Sequence, residues 1–97
     1  MGTIQHEAVI VVGERPKIED AHELAKSLYL LVSEVCEGRR NGYCSFLIAP
    51  EGSKVGWDAH IDQEKGIEDF LGKVRKIDHI TTCWVSFGDY EGRIRHE

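Results

Sequence analysis

Ninety-seven residues make one domain, because a chain of this length can bury a single core and has too little surface to divide it between two. With 41% hydrophobic and 30% charged residues it has the composition of a globular domain, and no apolar run approaches the length of a membrane span. A formal charge of −5 opposes general nucleic-acid binding, which needs a basic stripe for phosphate contacts.

The stretch "TIQHEAVIVVG" is rich in β-branched residues and ends at a glycine, which predicts a first strand over residues 3–12. Its unbroken apolar run, residues 8–12, predicts a central strand covered on both faces. The period then changes. Ile18, Ala21, Leu24, Ala25, Leu28, Leu31 and Val32 recur at three- and four-residue spacing, one stripe on a helix that Pro16 helps to start. Glu19, Asp20 and Glu23 stand in its early turns, where acidic side chains suit the positive end of the helix dipole.

The stripe could run on through Val35, but Asn41-Gly42 can supply the two positive φ angles of a type I′ turn, with apolar residues on both sides. The helix is therefore expected to end near Leu31, with strands over 33–39 and 43–49. Pro50 and Gly52 suit a second turn. Residues 62–77 resume helical spacing, with Ile67, Phe70, Leu71, Val74 and Ile77 inward, although Gly66 and Gly72 each cost about 1 kcal/mol relative to alanine. Residues 79–88 read as a strand, 89–92 as a turn and 93–97 as a short polar strand suited to a sheet edge. The order β-α-β-β-α-β, with one further β, predicts an α+β two-layer sandwich of the ferredoxin-like, split β-α-β type. Both helices would lie on one face of a largely antiparallel sheet.

"APEGSKVGW" is the segment with the most chemistry. The Walker pattern sets its lysine before the hydroxyl residue and needs an earlier glycine, so "GSK" is not a phosphate loop. Ser53 and Lys54 nevertheless place a hydroxyl and an ammonium on a glycine-punctuated turn, and Trp57 adds an aromatic face. Those are the parts that hold a phosphate and a stacked base. The alternative is an ordinary turn, its lysine solvated and its tryptophan folded back over the sheet. Arg39 and Arg40 beside the Asn-Gly turn, and Arg93 and Arg95 on the last strand, would extend this into a positive rim if they lie on the same side. Otherwise they are solvated edge charge that discourages aggregation.

Asp58, His60 and Asp62 alternate, so an extended chain would turn them to one side as metal ligands, while a helix start with Asp62 as N-cap is equally natural. No metal or cofactor is expected. Cys36, Cys44 and Cys83 include no C-x-x-C pair and read as reduced thiols, Cys44 and Cys83 in apolar strands where a thiol is usually inert packing. A Cys–His pair with His6 is the residual nucleophilic reading. Lacking the basic start and cleavage site of a secretory signal, the chain is expected in the cytoplasm.

The opening "IQHEAVIV", "VS" at Val32-Ser33, "NGYCSFLIAPEGSKVGW" over 41–57 and "WVSFGD" over 84–89 together span most of the chain. On these elements it resembles a family of small proteins encoded mainly by bacteriophages and prophages. Members of that family often carry more acidic residues after the tryptophan, where this chain has "DAHIDQEKG". The resemblance implies a context and no reaction: an accessory protein in an infected bacterial cytoplasm. The expected role is non-catalytic binding of a small anionic, nucleotide-like molecule, for instance a signal of host defence, by Ser53, Lys54, Trp57 and the four arginines. The alternative is stoichiometric inhibition of a host or defence protein through an acidic surface or strand addition. A homodimer is compatible with either.

Overall fold

The computed structural model describes residues 2–89 and 92–95, the side chains of Arg93 and Arg95 excepted. The elements are β1 (Gln5–Glu14), α1 (Arg15–Ser27), β2 (Cys36–Glu37), β3 (Tyr43–Ile48), α2 (Asp58–Val74), β4 (Ile80–Gly88) and β5 (Arg93–Arg95). They build one five-stranded antiparallel sheet in the order β2-β3-β1-β4-β5. This is the predicted α+β, ferredoxin-like arrangement, with β5 added beyond β4.

Both helices cover the same side of the sheet. Ile18, Ala21 and Ala25 of α1 and Ile67, Phe70, Leu71 and Val74 of α2 are buried with Val9, Val11, Phe46, Ile48 and Trp84. On β1 the odd-numbered residues from Gln5 to Gly13 face this core, because side chains alternate along a strand. The even-numbered ones face away from both helices: Ala8 is buried among its sheet neighbours, His6 and Val12 are half-buried, and Ile10 and Glu14 are exposed. Here the expectation of a strand buried on both faces is not met within one chain.

Three boundaries move for local reasons. α1 stops at Ser27 rather than near Leu31, because Tyr29 takes a left-handed conformation with φ 60°. The Tyr29 and Leu30 N–H groups then bond back to the Lys26 and Ala25 carbonyls at 3.0 and 3.2 Å. That is a Schellman ending, and it turns Leu30 into the core. The expected strand over 33–39 is an interrupted ladder. Val32 bridges Ile48, the Ser33 hydroxyl accepts the Leu47 N–H at 2.8 Å in place of a backbone carbonyl, and regular pairing resumes only at β2.

α2 starts at Asp58 instead of beyond Asp62, directly after a left-handed Gly56 (φ 91°), with the Trp57 carbonyl accepting the Ile61 N–H at 3.1 Å. Asp58, His60 and Asp62 are therefore helical and do not share a side: His60 is buried and both aspartates are exposed. The Asn41-Gly42 turn has φ of 61° and 68°, the predicted pair of positive values. The expected strand over 93–97 is described only at 93–95; His96 and Glu97 lie outside the described residues.

Candidate functional site

The bend between β3 and α2 is built by two left-handed glycines, Gly52 (φ 92°) and Gly56 (φ 91°), a conformation in which a Cβ is strained. Between them the chain runs along the start of β1. Lys54 bridges Ile4, and the Val55 N–H donates to the Thr3 carbonyl at 2.8 Å. The Lys54 stem lies against Gly2, where a Cβ would have no room. Residues paired across strands point to the same side, so Lys54 shares with Ile4 the side of the sheet that the helices leave open.

From there the Lys54 ammonium stands 5.5 Å from the centroid of the Trp57 ring, and Trp57 is 55% exposed. The two groups predicted to act together do meet, and they face outward. A cation at this distance from an indole gains about 0.5–1 kcal/mol at an exposed site.

The rest of the predicted ligand set is not assembled with them. Ser53 is buried, and both its hydroxyl and its N–H donate to the Glu51 carboxylate, so it faces an acid and not a solvent-borne anion. Arg39 and Arg40 are exposed on the β2–β3 turn. That turn lies at the Glu14 end of β1, opposite Tyr43, whereas Lys54 lies at the Ile4 end. Ten residues of extended chain separate the two ends by about 30 Å. One continuous positive rim is thereby excluded. The Arg93 and Arg95 backbones pair with Ser86 and Trp84; the prediction for their side chains lies outside the described residues.

Three hollows are formed by the described residues away from this pair, and neither Lys54 nor Trp57 lines any of the three. A hollow of about 460 Å³ opens at the far end of the sheet, between the start of α1 and the Asn41-Gly42 turn. A second, of about 480 Å³, lies between residues 28–31 and the start of α2.

A third space, of about 10 Å³, marks a cluster that sequence reasoning missed. Gln5, Glu7, Ser86, His60 and Gln63 are polar, buried and gathered where the Gln5 end of β1 meets α2. The Glu7 carboxylate accepts the Trp84 indole N–H and the Ser86 hydroxyl, both at 2.7 Å, and the Gln5 amide donates to Ser86 Oγ at 3.1 Å. His60 meets Glu64 through Nδ1 at 3.1 Å, and its buried Nε2 has no hydrogen-bond partner among the described residues. The small space beside it has room for about one water and none for a substrate. Gln5 and Glu7 share the core-facing parity of Val9 and Val11, a signal that the unbroken apolar run of residues 8–12 masks in the sequence.

Among the described residues no group of three or more His, Cys, Asp or Glu side chains could hold a metal ion. Cys44 is buried on the helix side while His6 is on the open side. Cys83 sits opposite Ile10, four residues along β1 from His6, or about 13 Å. Neither thiol pairs with that imidazole, which packs instead at a tilt against Phe87, the ring centroids 5.2 Å apart. No helix among the described residues is long and apolar enough to cross a membrane. Compared with known proteins, the chain matches no family model, no curated protein and no solved structure.

Proposed function

We propose that this chain is a non-catalytic binding protein that takes a small planar anion of the nucleotide class at the Lys54–Trp57 bend. The observation that carries the reading is the outward-facing pair itself, an indole more than half exposed with an ammonium 5.5 Å from its ring. A base stacks on the indole while the cation meets a phosphate. In the setting that the phage-family resemblance implies, the ligand is a nucleotide signal of bacterial defence, sequestered in the host cytoplasm.

Magnitudes limit what one copy achieves. A single stacked base is worth about 1–3 kcal/mol, and a millimolar dissociation constant already needs about 4 kcal/mol. One aromatic face and one cation therefore give millimolar binding, and sequestration at lower concentration needs a further wall.

The test is thermal melting with linear and cyclic nucleotides. Ligand at about ten times its dissociation constant stabilises by about 1.4 kcal/mol, which for a domain of this size raises Tm by about 5–10 °C. Lys54→Ala and Trp57→Ala each abolish the rise while leaving the unliganded Tm in place.

A protein partner is the second reading, favoured by the apolar face that the helices leave uncovered. Strand addition has little to build on, since the edge strands β2 and β5 are two and three residues long. No shift with any nucleotide, together with retention of a host protein on the immobilised chain, would replace the first reading with the second.

A further inference from the structure

We propose that the open face of the sheet is a homodimer interface, occupied by a second copy of this chain packed face to face about a two-fold axis. The inference is independent of the nucleotide reading.

An antiparallel sheet with one face on its core and one in water alternates apolar and polar residues along each strand. β1 breaks that rule. On the side away from the helices it places Ala8, buried, Ile10, exposed, and Val12, half-buried, the same run that in the sequence reads as a strand buried twice. The neighbours continue the surface: Leu47 lies opposite Ile10 on one side, and Val85 opposite Ala8 on the other, with Ile94 opposite Val85. Ile10 is 45% exposed, Phe87 40% and Ile94 61%. Scattered exposed apolar residues are ordinary, but a contiguous sheet of them is an interaction surface.

Charge selects the occupant. The named strands place no lysine or arginine on this face, and Lys54 reaches it only at the Ile4 edge, so phosphates or anionic lipid headgroups spread over the face meet a single cation at its margin. Its one carboxylate, Glu14, stands at the far end. The exposed acids of α1 and α2, among them Glu19, Glu23, Asp62 and Glu68, lie on the opposite layer. Two copies meeting sheet to sheet keep those acidic layers on the outside and bring together faces whose central strand positions carry no charge. A two-fold contact, which apposes one patch with itself, requires that property.

The area is sufficient. β1 and β4 pair from Gln5 opposite Gly88 to Gly13 opposite Ile80, a length of about 30 Å, and the five strands span about 20–25 Å at about 4.8 Å each. Allowing for the short edge strands, the face measures about 500 Å² in projection and more once side-chain relief is counted. Two copies then bury on the order of 1,200 Å², the lower bound of stable specific interfaces.

Sedimentation equilibrium of the purified full chain without nucleotide, from about 1 to about 100 µM, tests the proposal through its concentration dependence. The expected result is a species of twice the monomer mass. Ile10→Glu and Leu47→Glu, each burying two like charges in the contact, weaken association about 100-fold or more, with unchanged circular dichroism. Glu23→Lys on the helix layer changes nothing. A wild-type chain that stays monomeric throughout overturns the proposal, including one that instead captures another protein. A dimer that persists in both face variants overturns it too. Because nucleotide is absent, either failure leaves the Lys54–Trp57 reading untouched.

Discussion

Trp84 donates its indole N–H to the Glu7 carboxylate at 2.7 Å, inside a core where Trp84 is 1% and Glu7 5% exposed. The same carboxylate accepts the Ser86 hydroxyl, so one acid from β1 serves two donors on β4. A buried donor that loses its acceptor costs the full desolvation of the group, about 1–3 kcal/mol. Glu7→Ala removes the carboxylate that both donors use and opens a space beside Trp84. It should lower the unfolding free energy by about 3 kcal/mol, measured as a fall in the urea midpoint at unchanged slope. Glu7→Gln keeps an acceptor oxygen and should cost about half as much.

Much of this fold was legible because it is periodic or has strong turn chemistry. The apolar stripes of both helices, the Asn41-Gly42 turn and the strand around Trp84 depend on residues close in sequence. What was not legible depends on distant groups. Whether Arg40 joins Lys54 is decided by which ends of a ten-residue strand they flank, and no local pattern carries that. Gln5 and Glu7 were obscured because the apolar run after them hides the alternation that assigns them to the core side. That same run has a physical reason once the open face has an occupant. The Lys54–Trp57 pair was readable from one turn, whereas the turning of Ser53 away from it toward Glu51 was not.

Tyr29 shows how a helix end escapes a periodic reading. Leu28, Leu31 and Val32 continue the stripe, yet the chain reverses at Tyr29, a non-glycine residue at φ 60° that is 97% exposed. A side chain in that region costs about 1–2 kcal/mol, and glycine does not pay it. Tyr29→Gly loses almost no buried surface, so even after the greater unfolded-state entropy of glycine it should stabilise the domain by about 0.5–1 kcal/mol. A Tm rise of a few degrees is the expected reading, and a fall would mean that the ring has a partner which its exposure does not reveal.

The two glycines of α2 look alike in sequence and differ in the fold. Gly72 is exposed, with nothing within 4 Å of a built Cβ, whereas a Cβ on Gly66 would lie 2.8 Å from Leu30 Cδ2. Gly72→Ala should therefore deliver the helix-propensity gain of about 0.5–1 kcal/mol. At Gly66 the same gain is offset by displacing the buried Leu30, so Gly66→Ala should be neutral or destabilising. Parallel urea titrations of the two variants separate the cases.

The two tryptophans give the binding proposal an optical test, because they sit in opposite environments. Trp84 is enclosed beside Glu7, and Trp57 is solvent-facing under the Lys54 ammonium. Acrylamide should quench Trp57 and spare Trp84, leaving a blue-shifted residual emission. In Trp57→Phe the quenchable component disappears while the fold is kept, since the replaced ring contributes little to the core. A nucleotide stacked on the indole would quench that same component and then shield it from acrylamide, and Lys54→Ala would weaken both effects by removing the phosphate's cation. Nucleotide quenching that persists in Trp57→Phe would move the ligand away from the bend and refute the assignment.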